Sequence, residues 1–152
     1  MVQAIPADYP GVTPYLMFRD AAGAIDFYKK AFGAVETVRL GAPGNKIGHA
    51  ELRIGGGCIM LADESADSAA RGIESFGGSP ISLMFYTADV DRSFAQAVSA
   101  GGKVLRDVKD QFYGDRSGTL TDPFGCIWTI ATHKEDVSPA EMDKRMQAMM
   151  SQ

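Results

Sequence analysis

A chain of 152 residues and 16.3 kDa, 45% hydrophobic, is enough for one ordinary domain or for two half-sized modules sharing a core. A formal net charge of −4, a pI near 5.1 and the lack of any basic run exclude a nucleic-acid surface built on phosphate neutralisation. No apolar stretch approaches the roughly 20 residues that span a bilayer, so no membrane role is expected; "MVQAIPADYPGV" at the N-terminus lacks charged and apolar export regions and points to the cytoplasm.

The first elements alternate strand and helix. "TPYLMFR" is a short β-rich run, and "AAGAIDFYKKAFG" sets Ile25, Phe27, Tyr28, Ala31 and Phe32 at helical spacing before a glycine stop. "ETVRLG" and "IGHAELRIGG" follow as strands, the second alternating Ala50, Leu52 and Ile54 against His49, Glu51 and Arg53. "GGG" turns the chain into "CIMLAD", a further strand, because glycine reaches positive φ without a steric cost. "ESADSAARGIESFGGS" is polar, small and predicted as a loop.

The order then recurs. "ISLMFYT" predicts a strand, and "DVDRSFAQAVSAGG" a helix with acidic residues in its first turn and glycines past its end. "KVLRDVKD", "GTLTD" and "CIWTIAT" supply three strands, the last two joined by a "DPFG" turn. The tail "SPAEMDKRMQAMMSQ" opens on a capping box, Ser138 with Glu141, and carries Met142, Met146, Met149 and Met150 at helical spacings. That helix either packs on its own domain or reaches across to a second subunit.

"GCIMLAD" at 57–63 and "GCIWTIA" at 125–131 are nearly the same phrase, 68 residues apart, and the same shift pairs Leu52 with Leu120 and Gly33 with Gly101. The chain therefore reads as one domain over 1–136, made of two βαβββ modules at about 12–63 and 80–133, with an amphipathic helix over 137–152. Cys58 and Cys126 lack the spacing of a zinc or redox pair and read as buried thiols.

This paired pattern, with "AIDFYKKAFGA" in the first half and "DPFGCIWTI" in the last strand, resembles the vicinal oxygen chelate superfamily of glyoxalases, bleomycin-resistance proteins and extradiol dioxygenases. "PYLMF", "IGHAELRIGGGCIMLAD" and "YGDRSGTLTDPFGCIW" look most like its PhnB-type branch. The resemblance spans residues 12–133 and implies an α+β fold in which two βαβββ modules form a curled mixed sheet around a cleft. It also implies four metal-ligand positions on the first and last strand of each module, near Pro14, Leu61, Ser82 and Thr129. None of the four is His, Asp or Glu, so the family's metal chemistry lacks its usual ligands here.

His49 and Glu51 share a strand face and could hold a divalent ion with one more oxygen, such as Asp63, or act as acid and base. Alternatively they form a polar strand face in which Glu51 pairs with Arg53 or Arg19. His133 reads as a surface residue. "QFYGDRSG" either places Phe112, Tyr113 and Arg116 against a ligand or ties Asp115 to Arg116 in a turn. Trp128 is expected to point towards the helices. No nucleophile elbow, phosphate loop, dinucleotide fingerprint or S-adenosylmethionine fold is present, and "GGGC" and "GAPG" read as hairpin turns.

Three functions stay open. The first is a metal-free homodimer, without cofactor, that binds a small organic molecule such as an aromatic metabolite or antibiotic, in a cleft lined by Leu61, Ser82, Met84, Tyr86 and Thr129. The second is a glyoxalase- or dioxygenase-type lyase or oxidoreductase with a relocated metal site or acid–base pair at His49 and Glu51. The third is a structural dimer with a vestigial cleft.

Overall fold

The computed structural model describes residues 2–9, 11–67 and 69–151. Two four-stranded mixed sheets carry the chain. The first uses β1 (Tyr15–Phe18), β2 (Val35–Ala42), β3 (Lys46–Ile54) and β4 (Gly57–Asp63) in the order β1-β4-β3-β2, with helix α1 (Ala21–Phe32) between β1 and β2. The second uses β5 (Ser82–Tyr86), β6 (Lys103–Asp110), β7 (Asp115–Thr121) and β8 (Ile127–His133) in the order β5-β8-β7-β6, with α2 (Val90–Ser99) in the matching place. In each sheet the first strand runs parallel to the last and the other pairs are antiparallel. The fold is α+β, two βαβββ modules, with a C-terminal helix α3 (Pro139–Met150).

Local chemistry explains the element ends. Asp20 caps α1 by accepting from the Gly23 N–H at 2.9 Å, and Asp89 caps α2 from Arg92 at 3.0 Å, each worth about 1 kcal/mol. Gly33 closes α1 in the left-handed region at φ 66°. At the β3–β4 hairpin Gly55 also has positive φ, and a Cβ there would come 2.8 Å from the Cβ of Phe85, so only glycine lets this turn seat on β5. The linker holds a short 3-10 turn at Ile73–Phe76, anchored by Glu64, which accepts from the Gly72 N–H and the Ser75 hydroxyl.

One face of each sheet is buried under the helices. Phe18, Leu52, Ile59 and Leu61 in the first and Leu120, Trp128 and Ile130 in the second join Ile25, Tyr28 and Phe94 in a single core. Burial of large side chains such as these contributes about 1.5–3 kcal/mol each. The two modules meet through aromatics of α1. The Phe32 ring centre lies 4.8 Å from that of Trp128 and 5.3 Å from that of Phe85. Trp128 thus faces the helices, as its alternation predicts.

Asp122, in the "DPFG" turn, ties this junction with both carboxylate oxygens. Oδ1 accepts from the Phe124 and Cys126 N–H groups, and Oδ2 from the Tyr28 hydroxyl at 2.6 Å and Trp128 Nε1 at 3.0 Å. Burial pushes its pKa up, and these donors pull in the opposite direction.

The buried faces also correct the 68-residue shift. It holds between β3 and β7, where Leu52 and Leu120 both pack inward. The helix caps Asp20 and Asp89 are 69 apart, and so are the inward pairs Leu16–Leu61 and Phe85–Ile130. A slip of one residue in a strand exchanges its faces. Leu61 is therefore 0% exposed in the core, and cannot line a cleft on the open face. Pro14 lies before β1, where its carbonyl accepts from the Met60 N–H.

Candidate functional site

The faces turned away from the helices are open, and strand register lays their side chains in rows. Across the first sheet one row reads Tyr15, Met60, Glu51, Val38. Across the second, the equivalent row reads Met84, Thr129, Thr119, Arg106. Met84 and Tyr86 remain 46% and 51% exposed, large values for apolar side chains in the middle of a fold.

A hydrogen-bonded chain crosses the first open face. Glu51 Oε1 lies 3.0 Å from His49 Nε2, Oε2 accepts from the Tyr9 hydroxyl, and the Tyr15 hydroxyl lies 2.7 Å from His49 Nδ1. An ionised carboxylate can only accept, so Nε2 carries a proton, and in the neutral ring Nδ1 accepts from Tyr15. His49 and Tyr9 hold the Glu51 carboxyl below its usual range, and the carboxylate in turn pushes the Tyr9 phenol up to about 12. Glu51 pairs with neither Arg53 nor Arg19; Arg53 binds Asp8, and Arg19 binds Glu64. Tyr9 and Tyr15 are absent from the sequence expectations.

Asp63 does not join this chain. Its oxygens accept from the Ala21 and Ile47 N–H groups at 3.0 and 2.7 Å, and Lys46 lies 3.6 Å away. It locks the end of β4 to the start of α1 and of β3. Among the described residues no group of three His, Cys, Asp or Glu side chains could hold a metal ion. On the first and last strands the open faces offer Tyr15, Met60, Met84 and Thr129 to a ligand, and this donor set does not fit a divalent cation.

The second sheet has its own polar cluster, at the far end of β5. Tyr86 donates to Asp115 Oδ2 at 2.6 Å, and His133 lies between Asp115 at 2.8 Å and Asp136 at 3.0 Å. Carboxylates on both ring nitrogens favour the imidazolium, and the His133 pKa is raised, by Asp115 first and Asp136 second.

Of the other sequence candidates, Ser82, Met84, Tyr86 and Thr129 share the second open face. Thr129 Oγ1 lies 3.0 Å from Thr119 Oγ1. Arg116 is on the opposite face, gripping Asp91 through two contacts of 2.8 Å and Asp110 through one of 3.2 Å, so it neither pairs with Asp115 nor faces that side. Phe112 and Tyr113 form an edge-to-face pair, centres 5.2 Å apart, in the β6–β7 turn. The Phe112 carbonyl accepts from Arg145 of α3, a helix with no buried residue. Cys126 is buried, whereas Cys58 is half-buried on the open face beside Arg53.

A groove of about 680 Å³ runs between β1 and β5, bounded by Tyr15, Met17, Arg71, Ile73, Phe76 and Leu83 and by the linker residues 77–81. It is mostly apolar and of a size that suits a small organic molecule.

Residues 12–130 match the model of the Glyoxalase/Bleomycin resistance protein/Dioxygenase superfamily. An uncharacterized protein of Mycobacterium bovis is 40% identical over 146 residues, covering 94% of each chain. The X-ray structure of an Arabidopsis thaliana gene product is similar at TM-score 0.65 and 28% identity, over 81% of this chain and 98% of that one. The PhnB protein of Bacillus cereus shares the fold at TM-score 0.61 and 20% identity, over 80% and 98% of the two chains.

Proposed function

The chain belongs to the glyoxalase/bleomycin resistance protein/dioxygenase superfamily, and from that premise we propose that it is a metal-free, cytoplasmic, PhnB-like homodimer that binds a small organic molecule, such as an aromatic metabolite or antibiotic. In this reading residues 1–136 are a single domain of two fused copies, and the helix over 137–152 is an addition to it.

One observation carries it. The positions facing outward on the first and last strands are Tyr15, Met60, Met84 and Thr129, a phenol, two thioethers and a hydroxyl; Tyr15 borders the groove and Thr129 the smaller recess that adjoins it. Such groups pack against a flat organic molecule and donate to it, and sequestration needs affinity alone. Exposed Met84, Tyr86 and Leu40 on the open faces support a second copy covering them, since large apolar side chains left in water favour association.

A relocated metal site at His49 and Glu51 has less support, because Asp63 is bound to backbone amides and supplies no third ligand.

Thermal denaturation against a panel of aromatic metabolites and antibiotics tests the proposal. A binder raises the melting temperature with saturation, and Met84→Arg and Thr129→Arg abolish the effect. Stabilisation that survives both substitutions, or a panel in which nothing stabilises, overturns it. Light scattering should give twice the 16.3 kDa chain mass.

A further inference from the structure

We propose that Arg106 heads an oxyanion-binding recess on the second sheet, and that the ligand is amphipathic, an apolar body with a carboxylate or phosphate head. This rests on the small-molecule reading and narrows it to a chemical class.

A recess of about 320 Å³ is lined by Arg106 together with Ser82, Thr119 and Thr129, and it shares the wall Ser79, Pro80 and Ile81 with the apolar groove between β1 and β5. Register puts Arg106 opposite Thr119 and Thr119 opposite Thr129, so the three side chains stand on one face. Among the described residues no carboxylate lines the recess.

Three arginines, Arg71, Arg92 and Arg106, form no salt bridge among the described residues; Arg71 borders the groove, Arg92 lies on α2, and only Arg106 stands in the recess among hydroxyls. Arg39 is held by Glu36, Arg53 by Asp8, Arg116 by Asp91 and Asp110, and Arg145 by Glu135 and Glu141. Arg106 has neither an ion pair nor a side-chain hydrogen bond among the described residues. Its guanidinium presents a planar fork of N–H donors that matches two oxygens of a carboxylate or phosphate.

The hydroxyls complete the head site. Thr119 and Thr129 share one hydrogen between them at 3.0 Å, which leaves the other hydrogen free to donate outward, and Ser82 adds a further donor. The equivalent row of the first sheet has Val38 in place of Arg106 and Glu51 in place of Thr119. That row offers a carboxylate and no cation, so the head is directed to the second sheet and the apolar body to the groove beside it.

Isothermal titration calorimetry at low ionic strength with benzoate, phenyl phosphate and benzyl alcohol tests this, since the three share a ring and differ in the head. The expected result is that at least one anion binds about tenfold more tightly than benzyl alcohol. Arg106→Gln should erase that preference and leave benzyl alcohol unchanged, Arg106→Lys should fall between, and Arg92→Gln, which removes a positive charge on α2, should change nothing. The stronger of benzoate and phenyl phosphate identifies the head as carboxylate or phosphate. Equal binding of all three, or an anion preference that survives Arg106→Gln, overturns the oxyanion site while the small-molecule reading stands. Absence of binding by all three, together with a panel in which nothing stabilises, sinks both.

Discussion

The two sheets have the same strand order and the same parallel first-to-last pairing, and their hidden faces are built alike from Leu, Ile, Phe and Trp. Their open faces differ residue by residue: Tyr15, Met60, Glu51 and Val38 against Met84, Thr129, Thr119 and Arg106. The difference shows where a repeated backbone is free to change. A hidden position must fill a fixed volume beside a helix, and a methylene more or less is felt there. An open position meets water or a ligand, so charge and hydrogen bonding can be exchanged with little effect on folding. The imidazoles follow this division. His49 sits between a phenol and one carboxylate, His133 between two carboxylates.

Neighbouring residues on β4 give the strongest way to break the comparison. Leu61→Ala should cost about 3 kcal/mol in chemical denaturation, because a fully buried side chain leaves a cavity. Met60→Ala, one residue away on the open face, should cost about 1 kcal/mol. A larger loss for Met60→Ala than for Leu61→Ala would mean that the faces are assigned the wrong way round.

A smaller effect sharpens the contrast on the first face. Glu51→Gln removes the negative charge that holds the Tyr9 phenol at about 12, and ultraviolet titration should show one tyrosine returning towards the ordinary value near 10. The sign for stability follows from the lowered Glu51 pKa. Its contribution is present above the usual carboxylate range and is lost as pH falls through the folded value, so the variant should have a flatter acid limb. An unchanged tyrosine titration would break the Tyr9–Glu51 link.

The smallest change concerns His133, whose side chain is half exposed and screened by water. Its raised pKa means that its contribution is fully present below the ordinary imidazole range and is lost as pH rises through the folded value. His133→Gln should remove that decline from a melting-temperature profile between about pH 6 and 8. A profile identical to that of the parent would show that Asp115 and Asp136 do not hold the imidazolium.

Much of this architecture is legible in the residues. Alternation in "HAELRI", the helical spacing in "AIDFYKKAF" and the "DPFG" turn each match an element of the structure. The site is less legible. A shift of 68 set by identities at Gly57 and Gly125 crosses loops of different length, and one residue of drift moves Leu61 from the open face to the core. Alternation from Phe18 back along β1 could have brought out Tyr15, since both lie in one short strand on opposite faces. No local pattern links Tyr9 to Glu51, 42 residues away.

Apolar period, caps and glycine stops are properties of a few neighbouring residues, and they determine by themselves that this chain makes two βαβββ units and a final helix. Which side chains share an open face, that Asp63 is held by backbone amides, and that Arg106 stands unpaired among hydroxyls were decided only by the tertiary structure. Those relations depend on register between strands distant in sequence, and a change of one residue in register reverses every side chain on a strand.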